Sequence, residues 1–140
     1  MVAAQPIACW LYVSLASDKL VVDTIVSASR LKNVTLEVSG ALMFSGRRFA
    51  EYIEGPVPSV ERLRASIMAD SRHSNVVTLN EGITPRRSFA DWSLAYSGEA
   101  EPFDKLISLA YRLEGRAAET LLMEMIRRFT RDARKRPGEQ

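Results

Sequence analysis

Residues 36–56 read LEVSGALMFSGRRFAEYIEGP, and how this stretch is read decides the fold. Two apolar runs, Leu36 to Ser45 and Arg48 to Glu54, flank Ser45-Gly46-Arg47, a short connection with glycine at the turn. The pair predicts a β-hairpin, and Gly55-Pro56 then breaks the pattern. In the second run Phe49, Glu51 and Ile53 share one face and Ala50 and Tyr52 the other, so Glu51 has apolar neighbours whichever face is inward. A carboxylate there is costly unless it finds a partner, takes up a proton or serves in chemistry.

A helix is expected on each side of the hairpin. Upstream, Ile7 to Ala16 (IACWLYVSLA) reads as a buried first strand. Ser17 and Asp18 look like helix-start residues, and Val21, Val22, Ile25, Val26 and Ala28 recur at helical spacing up to about Lys32 and Asn33. Downstream, Val60, Leu63 and Ile67 form the stripe of a second helix ending around Asp70. Asn75 to Ile83 and Ser88 to Tyr96 read as two further strands separated by Pro85-Arg86-Arg87. The order β-α-β-β-α-β plus one strand matches a ferredoxin-like α+β fold, a five-stranded sheet with two helices on one face. The other face needs cover. Leu106, Ile107, Ala110 and Leu113, then Ala118, Leu122, Met125 and Phe129, give two amphipathic stripes separated near Gly115, predicting two C-terminal helices over residues 104–133. The first strand is apolar on both parities, as a strand covered on both faces should be.

The chain's 140 residues, 46% hydrophobic and 26% charged, suit one compact domain. Nineteen basic against seventeen acidic residues leave a net charge of +2, too weak to argue for nucleic acid or an anionic membrane. Cys9 is the single cysteine, which excludes an internal disulfide and a cysteine-based metal site and points to a reducing, cytoplasmic setting. The run from Ile7 to Ala16 has no basic residue before it and is too short to span a bilayer, so neither a signal peptide nor a membrane anchor is expected. His73 is the single histidine, with no G-x-S-x-G, P-loop or G-x-G-x-x-G beside it, so neither a hydrolase nor a metal site is indicated.

Five short pieces in register carry a more specific signal: LYVSLAS (11–17), N-x6-GALMFS (33–45), RRFAEYIEGP (47–56), ADSRHSNV (69–76) and RRSFADWSLAY (86–96). Together they resemble the BLUF family of flavin-binding blue-light receptors, from about residue 8 to about residue 97. The resemblance implies a flavin held between the two helices of a ferredoxin-like sheet, FAD being the expected cofactor and FMN the alternative. Tyr12 matches the tyrosine that gives an electron and a proton to the excited flavin. Asn33 matches the asparagine whose amide pairs with the polar edge of the ring, a role its mixed donors and acceptor suit. Arg72 and His73 match the pair on the ring's carbonyl side, where an arginine stabilises negative charge. Ile25 matches a residue packed on the ring, Phe49 is placed to wall the pocket, and Trp92 matches a fifth-strand tryptophan tied to signalling. Read without the resemblance, Tyr12, Ile25, Phe49 and Trp92 are ordinary core residues, Arg72 is solvated, and Asn33 is a helix C-cap.

Two positions depart from the family pattern, and a third is less usual. Glu51 stands where the family carries the glutamine that bridges the tyrosine hydroxyl and the flavin, and whose rearrangement is held to create the red-shifted signalling state. A neutral glutamate keeps one donor and one acceptor and still bridges; an ionised one only accepts and repels a flavin gaining an electron. Its apolar surroundings favour the neutral form. Leu94 replaces a common methionine, keeping volume but losing the polarizable sulfur. Lys32 is unusual beside the ring, though a cation is favourable at a helix C-terminus anyway.

The domain reading is a flavin-binding unit over residues 6–98, a helical extension over 99–134 and a tail over 135–140. Nothing resembles a cyclase, a phosphodiesterase or a DNA-binding motif, so a signal must pass to another, unidentified protein, with the C-terminal helices as the surface and a homo-oligomer as a further expectation. The basic tail RRFTRDARKR is read as a solvated helix end. The chain is thus expected to be a blue-light sensor rather than an enzyme. The rival reading is a light-blind interaction module on the same fold, with Glu51 marking abandoned photochemistry.

Overall fold

In a computed structural model, which describes residues 5–17, 22–90, 94–98, 101–113 and 115–134, the chain forms one five-stranded sheet. Its first strand, β1 (Ile7–Ala16), lies between β3 (Arg48–Pro56) and β4 (His73–Thr84), antiparallel to both. Next to β3 comes β2 (Ser39–Phe44), also antiparallel, and at the far edge β5 (Ala95–Gly98) runs parallel to β2. The order β4-β1-β3-β2-β5 is a ferredoxin-like arrangement with one added strand. Helix α1 (Val22–Leu36) connects β1 to β2, and α2 (Val57–Ala69) connects β3 to β4. The extension is two helices, α3 (Glu101–Leu113) and α4 (Gly115–Arg134).

Strand parity divides the core. From β1, Cys9, Leu11 and Val13 pack with Ala50 and Tyr52 against Ile107, Ala110, Ala118, Leu122, Met123 and Ile126 of α3 and α4. The alternate residues Ala8, Trp10 and Tyr12 pack with Ile53 against Val60 and Leu63 of α2. A third cluster, Val26, Leu42, Phe44, Phe49 and Leu94, lies beside α1. The two-sided burial of β1 is why its apolar residues do not alternate with polar ones.

The hairpin stands as the sequence suggests. Gly46 takes a φ of +101°, a left-handed value that favours glycine, and the Ser45 hydroxyl accepts the Arg47 and Arg48 N–H groups at 3.2 and 3.0 Å. Gly40 is needed for a different reason: a Cβ there would lie 2.1 Å from the Tyr52 carbonyl oxygen.

Several boundaries differ from the sequence reading; β3 runs on through Gly55 to Pro56, which reads as a break in the sequence, and α3 starts at Glu101. Helix α1 continues a turn beyond Asn33, which is therefore helical and not a C-cap. It ends in a Schellman motif, with Glu37 at φ +59°, Glu37 N–H donating to Val34 O at 3.2 Å and Val38 N–H to Asn33 O at 2.8 Å. Glycine usually marks that position, and its absence hid the stop. Strand β2 begins at Ser39 rather than Leu36 in consequence. Strand β4 begins at His73, two residues earlier than expected, and carries register shifts opposite Leu11/Tyr12 and Val13/Leu15, with Asn75 at φ +52°. Residues 88–90 are not strand but a bend, and β5 starts at Ala95. Within α3, Leu113, expected in the buried stripe, is 44% exposed.

Candidate functional site

A cleft opens between α1 and α2 over one face of the sheet. It contains about 860 Å³ of empty space, part of it open to solvent. Its walls are apolar: Ile25 from α1, Leu42 and Phe49 from the hairpin, Leu63 and Ile67 from α2. Tyr12 and Glu51 lie among them, while Lys32, Asn33, Arg72 and His73 contribute polar atoms. The structure thus brings eight of the residues singled out from the sequence, Tyr12, Ile25, Lys32, Asn33, Phe49, Glu51, Arg72 and His73, to one cleft.

Tyr12 and Glu51 are direct partners in the β1–β3 register, so their side chains leave the same face of the sheet at neighbouring positions. The Tyr12 hydroxyl donates a short hydrogen bond to Glu51 Oε1. Both side chains are buried. Burial pushes the Glu51 carboxyl up to about 7, the bond from Tyr12 pulling partly the other way. Burial, with the facing Glu51 charge, holds the Tyr12 phenol well above its ordinary range. The buried acid is therefore answered by a partner and also poised to hold a proton near neutral pH.

His73 joins three elements. Its Nε2 lies 2.7 Å from the Ile67 carbonyl, which only accepts, so Nε2 carries the proton; Nδ1 then accepts from the Ser14 hydroxyl at 2.8 Å in the neutral ring. This ties the end of α2 to β1 and sets the ring edge-on to Tyr12 and Phe49, with centroids 6.1 and 6.4 Å away. Arg72 is held by Asp70 through Nε at 2.9 Å and Nη2 at 2.7 Å, an exposed pair that raises the guanidinium and lowers the carboxyl from their ordinary values. Lys32 Nζ donates to Ser66 Oγ at 3.1 Å, spanning from α1 to α2. Asn33 is buried in the cleft wall at 2% exposure, placed there by the extra turn of α1.

Leu94 is 1% exposed and belongs to the cluster with Leu42 and Phe49, behind the cleft wall. Its carbonyl accepts from Arg30 Nε at 3.0 Å. Trp92 lies outside the described residues. Four residues that sequence reasoning passed over are Ser14, Ser66, Asp70 and Glu54. Ser14 and Ser66 depend on pairings across elements that spacing does not reveal, whereas Asp70 pairs with Arg72 only two residues on. Glu54 carried a visible signal, a second acid in the same apolar strand, three residues after Glu51.

The donor set fits a flavin. A flat ring with apolar faces and a polar edge needs apolar walls on both sides and mixed donors and acceptors at one end, and the cleft supplies Ile25 and Phe49 together with the Asn33 amide and the Glu51 carboxyl. Among the described residues no group of three His, Cys, Asp or Glu side chains is placed to hold a metal, and no described helix is long and apolar enough to cross a membrane.

Comparison with known proteins agrees with this geometry. Residues 7–95 match the BLUF family, described as sensors of blue light using FAD. The chain is 34% identical over 68 residues to the blue light- and temperature-regulated antirepressor BluF of Escherichia coli K12, covering 49% of this chain and 17% of that protein. It is 36% identical over 64 residues to photoactivated adenylate cyclase subunit beta of Euglena gracilis, covering 46% and 8% respectively, so the match spans only a small part of either curated relative. Among solved structures, BlrB, a BLUF protein in its dark state, superposes with a TM-score of 0.75 at 26% identity over 91% of this chain and 98% of that one. The matching family is one of sensors, and the reading that the chain is not itself an enzyme agrees with that. The chain belongs to the BLUF family of blue-light sensors that use FAD.

Proposed function

We propose that the α1–α2 cleft holds the flavin ring and that Tyr12 with a protonated Glu51 forms the light-responsive hydrogen-bond switch, signalling onward through protein–protein contacts. The observation that carries this reading is the Tyr12–Glu51 hydrogen bond inside the cleft. FAD, when bound, supplies the absorption of blue light and a one-electron acceptor. Everything else is the chain's own work. Tyr12 holds its proton on the Oη–Oε1 bond and shares it with Glu51 as it loses an electron. A protonated Glu51 accepts from Tyr12 at Oε1 and carries its own proton on Oε2, so it keeps the donor-plus-acceptor character of the family's glutamine. Ionised, it has no proton to donate and sets a negative charge beside an electron acceptor.

Asn33 orients the ring's polar edge, Ile25 and Phe49 exclude water from its faces, and His73 fixes the cleft floor through Ser14 and Ile67. Lys32 and Arg72 place cations at the cleft, which favours a flavin gaining negative charge. Leu94 and Trp92 are the proposed output side. We place the sensor over residues 6–98, with the 99–134 helices as the surface offered to an unidentified partner or a second copy, in the cytoplasm.

The test compares the native chain, Glu51→Gln and Glu51→Ala after loading with FAD. The native chain and Glu51→Gln should show a reversible red shift under blue light, while Glu51→Ala should bind FAD without shifting. A Glu51→Ala protein that shifts like the native chain overturns the role of Glu51. A native chain that retains no flavin leaves the light-blind module.

A further inference from the structure

Trp10 occupies a position on β1 that the site described so far does not use. It is fully buried, with 0% exposure, and stacks on Tyr12 with ring centroids 4.3 Å apart and planes 26° from parallel. The Arg64 guanidinium lies over the same indole ring, its Cζ 4.9 Å from the centroid, and is paired with Glu81 at 2.5 Å. The indole Nε1–H donates to Thr78 Oγ1 at 2.9 Å. A redox-active phenol in van der Waals contact with an indole is an arrangement for passing an electron between rings.

We propose that Trp10 is a second redox residue of this site, an electron donor stacked behind Tyr12. The inference rests on the reading of Tyr12 as electron donor to a bound flavin. One electron leaves Tyr12 for the photo-excited flavin, the oxidant, while the phenolic proton stays shared in the hydrogen bond to Glu51 Oε1. Trp10 then gives one electron to Tyr12, restoring the phenol with its proton on Oη. The hole now sits on the indole, and the Nε1 proton leaves through the Thr78 hydroxyl to water. The net change is one electron from Trp10 to the flavin and one proton to solvent.

The proton outlets give the step its direction. The Tyr12 proton has no outlet beyond the buried hydrogen bond to Glu51, so it stays in place for the phenol to be restored. Thr78 is exposed on β4, so a proton given up by Trp10 is lost to bulk water and the oxidised indole is left neutral. Arg64 above the ring opposes a positive charge there and so favours that loss, moderated by its pairing with Glu81.

Flash photolysis of the FAD-loaded chain tests this, with Trp10→Phe, Trp92→Phe and Thr78→Val alongside. In the native chain a tryptophanyl radical spectrum should grow in as the tyrosyl radical decays. It should be lost in Trp10→Phe, persist in Trp92→Phe, and shift from the neutral to the cationic form in Thr78→Val. A native chain that forms a tyrosyl radical and no tryptophanyl radical overturns the relay while leaving Tyr12 as donor, and so does a tryptophanyl signal undiminished in Trp10→Phe. Should Trp10→Phe not fold, the Thr78→Val spectrum decides, since an unchanged radical form contradicts the proton outlet. A native chain forming neither radical overturns both the relay and the reading it rests on.

Discussion

Glu51 and Glu54 lie three residues apart on β3, both buried, at 6% and 0% exposure, and on opposite faces of the sheet. Glu54 accepts hydrogen bonds from Ser39 Oγ at 2.9 Å and from the Ser88 and Phe89 N–H groups at 2.7 Å each. It clasps the bend at residues 88–90 to the sheet, and Arg87 adds bonds to Ser39 Oγ at 2.9 Å and Glu37 O at 2.7 Å. Glu51 meets a phenol in a cleft. The same residue type in the same strand is thus a structural clasp where backbone donors converge and a proton-holding group where a single hydroxyl does. Burial alone does not assign the role of an acid; its partners do.

The sharpest way to break this contrast is to delete each acid. Glu54→Ala strands two backbone N–H groups and a serine hydroxyl in the interior, and should cost about 4 kcal/mol in urea unfolding. Glu51→Ala, measured at low pH, strands mainly the Tyr12 hydroxyl and should cost about 2 kcal/mol. Equal losses would mean that the two sites are energetically alike.

A second contrast is in pH. The Glu51 carboxyl is raised in the folded state from 4.5 to about 7, so between those values the folded chain binds more protons than the unfolded one. Stability from this group is fully present below 4.5 and is lost as pH rises through about 7, a fall of about 3 kcal/mol. Glu51→Gln should flatten that slope and make the protein more stable at alkaline pH, as denaturation across pH will reveal.

A smaller effect belongs to the extension. Asp104 accepts from Ser45 Oγ at 2.8 Å and from Arg48 Nη1 at 2.9 and 3.0 Å, latching α3 to the hairpin turn, and these partners hold its carboxyl below the ordinary range despite partial burial. Asp104→Asn should cost about 1 kcal/mol in the same unfolding assay. The smallest is Lys32→Ala, which removes an exposed bond to Ser66 and should change stability by no more than about 0.5 kcal/mol, leaving its consequence to flavin retention.

Much of this architecture was legible because it rests on local rules. The two-sided apolar pattern of β1, the glycine turn at Gly46 and the stripes around Ile107 and Leu122 each follow from periodicity. The misplaced boundaries are those where an uncharacteristic residue ends an element or a longer-range contact wins. Glu37 ends α1 in a conformation usually given to glycine, and the 88–90 bend is held by Glu54 from another strand. The site was legible differently. Residue types at matching positions pointed to the cleft, but the Tyr12–Glu51 pairing, the Ser14–His73–Ile67 tie and the Trp10–Tyr12 stack depend on strand register, which no single segment encodes.

The most direct test is the light-minus-dark absorption spectrum of the FAD-loaded chain, recorded from about pH 5 to about pH 9 across the titration of Glu51. The account predicts a reversible red shift, full at the acid end and fading with a midpoint near the Glu51 value of about 7, and a pH-independent shift in Glu51→Gln. A native shift of constant size across that range, or one that grows toward alkaline pH, would contradict a protonated Glu51 as the bridge between Tyr12 and the flavin.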